Sequence, residues 1–159
     1  MKKVRFEEDY IFFEKIRRKK KVYKSFERIF TREDKELLES QVFGSIHTID
    51  DSKIFGFHEN DNYREIKIRP GVVSISPSAE TNFETEWIPM STKIQNRNPE
   101  EIVLLRKYKD NVREDSVILL RYRGWYKFKT LSARKGRLSA EKQEELRKKL
   151  NKLKSEENN

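Results

Sequence analysis

Residues 121 to 137 read RYRGWYKFKTLSARKGR, a stretch in which cations and aromatic rings alternate around a glycine. Guanidinium and ammonium groups neutralise phosphates, arginine can hold two phosphate oxygens at once, and an exposed indole can stack on a base. Arg121, Arg123, Lys127, Lys129, Arg134, Lys135 and Arg137 are therefore candidate phosphate contacts, with Trp125 a candidate stacking surface. A second run covers Arg17, Arg18, Lys19, Lys20 and Lys21, whose mutual repulsion an anion would relieve. The chemistry on offer is binding. Cysteine is absent, which removes disulfides, thiolate metal sites and a cysteine nucleophile. Two histidines, His47 and His58, do not make a zinc set and read as packed or surface residues. With no glycine-rich phosphate loop and no serine in a nucleophile elbow, neither a cofactor nor a catalytic centre is expected.

The charge distribution supports the same reading. The net charge of +9 arises from basic ends around an acidic middle: residues 1–24 carry +6, residues 25–105 carry −6 and residues 121–154 carry +10. A chain whose two ends meet a polyanion would be built this way. No apolar run approaches a membrane span, and MKKVRFEEDYIFF has acidic residues where a signal peptide needs its apolar stretch, so a cytoplasmic protein is expected. Ten Phe, six Tyr and two Trp supply a core, although charged residues make up 40% of the chain.

Hydrophobic spacing indicates the elements that must carry these groups. Phe12, Ile16, Tyr23, Phe26 and Phe30 form a helical stripe, in one long helix or two short ones. TRED at 31–34 is a capping box, predicting a short helix to about Ser40. Period-two segments follow, VFGSIHTI, KIFGFHE, YREIKIR and VVSIS, separated by DDS, NDN and PG, with Pro70-Gly71 as the clearest turn of an antiparallel meander. FETEWI at 83–88 reads as another strand. Asn98 as a cap and Pro99 at the first helical position predict a helix to about Val112. SVILLRYR and YKFKTL then predict a hairpin with Trp125 at its tip and Tyr122 and Phe128 in the core. Its register stays open between a two-residue and a three-residue loop. A closing amphipathic helix carries Leu146, Leu150 and Leu153, with residues 155–159 as a frayed tail. The class is α+β and mostly antiparallel, as a single domain over residues 1–154 with basic elements at both ends.

Two family resemblances accompany this reading. The predicted order from residue 32 to 123, with Asp50 or Asp51 before one strand, Glu65-x-Lys67 in the next, and Glu36 and Glu39 on the preceding helix, resembles the restriction-endonuclease-like nuclease superfamily. That resemblance implies magnesium held by Asp51 and Glu65, with Lys67 helping to activate water, although the usual proline before the aspartate is absent. The thirty residues RYRGWYKFKTLSARKGRLSAEKQEELRKKL resemble the end of BrnT-type ribonuclease toxins, which implies contact with RNA. From the residues themselves, the reading is a non-enzymatic DNA- or RNA-binding protein of the kind found in mobile elements, phages or nucleoprotein assemblies. The alternative is a protein-interaction module using the acidic middle or the C-terminal leucine stripe. A metal-dependent nuclease ranks third.

Overall fold

The computed structural model describes residues 30–54 and 68–158. The expected helix upstream of Phe30 and the strand segments within 55–67 lie outside the described residues. Helix α1 (Arg32–Ser40) opens on the expected capping box: Asp34 N donates to Thr31 Oγ1 at 3.1 Å, and Thr31 N donates back to Asp34 Oδ2 at 3.2 Å. Strands β1 (Ser45–Asp50), β2 (Ile68–Ile75), β3 (Glu84–Ser91), β4 (Ile102–Leu105), β5 (Ser116–Leu119), β6 (Gly124–Lys127) and β7 (Gly136–Arg137) precede helix α2 (Ala140–Glu157). They form one curled sheet in the order β4-β5-β3-β2-β1-β7, with β6 also pairing β3, and every strand pairing is antiparallel. The α+β class and mostly antiparallel sheet are as the sequence predicts.

Successive side chains along a strand point to opposite faces, and this sheet buries both. Val72, Ile88, Ile118, Leu120, Val103 and Leu105 join one cluster, while their neighbours Val73, Trp87, Val117, Leu119, Ile102 and Leu104 join the other. Leu146, Leu150 and Leu153 of α2 cover the first cluster, each contributing about 1.5–3 kcal/mol by burial. The leucine stripe considered for a partner protein is thus consumed inside the chain. Helix α2 also runs to Glu157, past the frayed end expected at residue 155. Lysines clamp it to the sheet edge: Lys149 Nζ donates to the carbonyls of Pro99 at 2.9 Å and Ile102 at 2.8 Å, and Lys152 pairs with Glu100.

Three local expectations are corrected. Pro70-Gly71 is not a turn but lies inside β2, opposite Thr48 and His47. Its glycine makes room for an indole, because a Cβ at Gly71 would sit 2.2 Å from Trp87 Cζ2 and 2.5 Å from the Ile88 carbonyl oxygen. The helix expected from Asn98 to Val112 is a single 3-10 turn (Pro99–Glu101) followed by β4. Asn98 does cap that turn, accepting from Glu100 N at 3.0 Å, but the next four residues bury their side chains alternately and belong to a strand. Finally, no hairpin forms at Gly124-Trp125. Strands β5 and β6 lie one after the other along β3, and Leu120–Tyr122 makes a 3-10 turn between them. The pairing slips by three residues there, from Met90 opposite Ile118 to Trp87 opposite Gly124.

Candidate nucleic-acid interface

Beyond β6, Phe128–Thr130 forms a 3-10 turn against α1, and residues 131–137 then run back beside β1. Backbone bonds fix this return. Ser132 N donates to the Thr48 carbonyl at 3.0 Å, Lys135 N to that of Ile46 at 2.7 Å, and Leu138 N to that of Gly44 at 2.9 Å. Buried His47 locks the base of the loop: Nδ1 lies 2.9 Å from the Ser132 carbonyl and Nε2 lies 2.9 Å from Ser45 Oγ. A carbonyl only accepts, so Nδ1 carries a proton, while the single Ser45 hydroxyl proton is shared between Nε2 and the Val42 carbonyl, the latter 2.7 Å away. Burial pushes the His47 pKa down, against the opposing pull of the Ser132 and Ser40 carbonyls and with a smaller push in the same direction from Arg134. The imidazole is a neutral strut in the packed interior, as its sequence context suggests, and His58 lies outside the described residues.

On this base the cations of the loop face outward. Arg134, Lys135 and Arg137 are exposed. Arg134 Nη1 reaches the Ser40 carbonyl at 3.5 Å and Arg137 Nε that of Phe43 at 3.2 Å, each using one donor of five. Lys127 is exposed at the end of β6. Among the described residues, none of these four forms an ion pair with a carboxylate. Arg147 of α2 completes the corner, stacking over the Phe43 ring at 4.6 Å while pairing with Glu144 at 2.8 Å. Sequence reasoning missed Arg147, since only tertiary packing brings it to Phe43, the residue that also holds Arg137.

The other sequence candidates divide differently. Arg121 is bound to Glu101 at 2.5 Å. Lys129 pairs with Asp34 at 3.4 Å. Arg123 has a side chain only 12% exposed, donates from Nη1 to the Leu120 carbonyl at 2.8 Å, and pairs with Glu86 and Glu157. Glu86, itself buried, also accepts from Ser74 Oγ at 2.7 Å and Lys154 Nζ at 2.8 Å. This network fastens α2 to β3 and leaves Arg123 little to offer an anion. Trp125 is 48% exposed and stands opposite Glu86 on β3, not at a hairpin tip. Phe128 is buried as expected, whereas Tyr122 is 41% exposed instead of joining the core. Residues Arg17 to Lys21 lie outside the described residues.

The nuclease constellation gains no support from the described residues. Glu65 and Lys67 fall outside them. Asp51 is spent on Arg69, which donates Nε to Oδ1 at 2.8 Å and Nη2 to Oδ2 at 3.2 Å, and Nη1 to the Met90 carbonyl at 3.0 Å. No group of three metal-ligating side chains exists among the described residues. The element order that carried the resemblance is also altered, because β4 replaces the expected helix. No helix of the described residues is long and apolar enough to cross a membrane. No family model and no curated protein matches the sequence. The fold does have a counterpart among solved structures: MazF (form I) from Deinococcus radiodurans superposes with a TM-score of 0.50, covering 71% of this chain and 94% of its own at 17% identity. What the two chains share is the architecture of the curled sheet and its helices.

Proposed function

We propose that this chain binds single-stranded nucleic acid, RNA or DNA, at the cationic loop of Arg134, Lys135 and Arg137 beside Arg147, with Lys127 as a further phosphate contact, without performing chemistry on it. The observation that carries the reading is the loop itself. Three exposed cations sit on a backbone locked to β1, with no carboxylate partner among the described residues. A surface that merely needs solubility has no reason to hold like charges on a fixed frame, whereas a phosphate backbone needs that arrangement. Trp125, two residues before Lys127 and on the same face of β6, adds a π-face that a single strand can use and a duplex cannot.

Fluorescence anisotropy with labelled single-stranded RNA, single-stranded DNA and duplex DNA at low salt tests this directly. The parent protein binds single strands, and the triple variant Arg134→Ser, Lys135→Ser, Arg137→Ser binds at least about tenfold more weakly while keeping its circular dichroism. Oligonucleotides recovered from the same mixtures, with EDTA or with magnesium, stay intact. Equal binding by parent and triple variant removes the loop from the interface, and shortened oligonucleotides overturn the non-catalytic part of the reading.

A further inference from the structure

The segment 106–115, which joins β4 to β5, places an aromatic residue where the backbone disfavours one. Tyr108 has φ +68° and is 90% exposed. Left-handed backbone suits glycine and asparagine and is costly for bulky side chains. Elsewhere among the described residues, Asn82, Asn96 and Asn111 occupy three of the other four non-glycine positive-φ positions, and Phe83 at the fourth is buried with its ring 4.9 Å from that of Phe30. Tyr108 alone among these has neither the suitable side chain nor a place in the core.

Nor is the segment loose. Arg106 N donates to Asp110 Oδ2 at 2.7 Å, Asp110 N returns to the Arg106 carbonyl at 2.9 Å, and Lys107 N donates to Asp115 Oδ1 at 2.8 Å. Asp110 is 2% exposed, and Asp115 also holds the Arg106 guanidinium at 3.2 Å. Both aspartates therefore face the loop's own backbone. The cations Lys107, Lys109 and Arg113 are exposed and form no close ion pair among the described residues, although Lys107 lies in the field of Asp115, and Lys107 Nζ lies 4.9 Å from the Tyr108 ring centre. The over-determined loop thus presents a strained aromatic among three exposed cations, with the Glu114 carboxylate also exposed beside them.

We propose that this tip is a second contact for single-stranded nucleic acid, in which Tyr108 stacks on a base while Lys107, Lys109 and Arg113 neutralise the phosphates beside it. The proposal rests on the reading of the chain as a nucleic-acid binder, but it concerns a different end of the sheet. The tip joins β4 to β5 at one end of the strand order, whereas residues 134–137 lead into β7 at the other.

The test compares parent, Tyr108→Asn, Tyr108→Phe and the triple variant at Arg134, Lys135 and Arg137 by anisotropy and urea unfolding. Tyr108→Asn unfolds at the parental midpoint or higher, since asparagine relieves the backbone and no core contact is lost, yet it binds single-stranded RNA or DNA about tenfold more weakly. Its duplex affinity is unchanged, and Tyr108→Phe retains the parental affinity for single strands. Parental single-strand affinity in Tyr108→Asn, alongside weakened binding in the triple variant, overturns the second contact and leaves the first standing. A lowered urea midpoint in Tyr108→Asn makes the tyrosine structural and overturns the proposal too. A parent protein that binds no nucleic acid overturns both.

Discussion

Arg123 distinguishes a structural cation from an interface cation within one short stretch of sequence, and replacing it with alanine tests the distinction. The change removes a nearly buried guanidinium together with its bond to the Leu120 carbonyl and its pairing with Glu157 and Glu86. Breaking a buried pair costs about 3–5 kcal/mol when the partner is left alone. Glu86 is not left alone, because Ser74 Oγ at 2.7 Å and Lys154 Nζ at 2.8 Å remain. The expected loss is therefore closer to that of one or two charge-assisted hydrogen bonds, about 2–3 kcal/mol. For a chain of this length that lowers the thermal midpoint by roughly 5–10 °C. Arg134→Ala, by contrast, leaves the midpoint in place, because the side chain is exposed and its one hydrogen bond among the described residues is a long one, to the Ser40 carbonyl at 3.5 Å. Urea and thermal unfolding followed by circular dichroism give the two stabilities, and anisotropy below the midpoint gives the two affinities. Arg123→Ala is destabilised and binds nucleic acid normally when folded, whereas Arg134→Ala is stable and binds more weakly. A parental midpoint with weakened binding in Arg123→Ala would refute the assignment and return Arg123 to the interface.

Two further substitutions probe the frame. His47 has a folded pKa below its ordinary 6.5, so between the two values the unfolded state binds more protons than the folded one. Stability is complete above about pH 6.5 and falls as the pH drops below it. In urea titrations from pH 7.5 to 5, His47→Gln should be less stable than the parent at high pH but show a flatter decline, and parallel curves would contradict the neutral-strut account. Gly71→Ala drives a methyl group into the Trp87 ring and the Ile88 carbonyl, at 2.2 Å and 2.5 Å, so it should cost at least about 1–3 kcal/mol and shift tryptophan fluorescence. A stable, spectrally unchanged variant would mean that the indole does not occupy that space.

Local rules read well where local physics decides. The Thr31 capping box, the strand at FETEWI and the leucine face of α2 all follow from spacing and side-chain chemistry within a few residues. Tertiary context overrode the rest. Pro70-Gly71 carries a turn signature, but its glycine answers to Trp87 on the neighbouring strand, a contact between positions sixteen residues apart. Asn98-Pro99 signals a helix start correctly for one turn, and then Ile102 to Leu105 are captured by pairing with β5. The cations show the same division. Sequence shows seven of them between residues 121 and 137, but only folding reveals that Arg121, Arg123 and Lys129 are bound to Glu101, Glu86 and Asp34. It also brings Arg147 to Phe43 and stands Tyr108 on a rigid tip, neither of which has a local signature.

The central claim is that a fixed set of unpaired cations neutralises phosphates, and the salt dependence of binding counts them. Each phosphate neutralised on a single strand contributes about −0.7 to the slope of log K against log salt. Cations elsewhere on the chain, including those of residues 17–21 and the Tyr108 tip, contribute equally to parent and variant and cancel in the comparison. Replacing Arg134, Lys135 and Arg137 with serine should therefore make the slope shallower by about 2 on a single-stranded oligonucleotide long enough to saturate the parent. Slopes that coincide in the two folded proteins, or a parent that binds no RNA or DNA at low salt, would contradict the account.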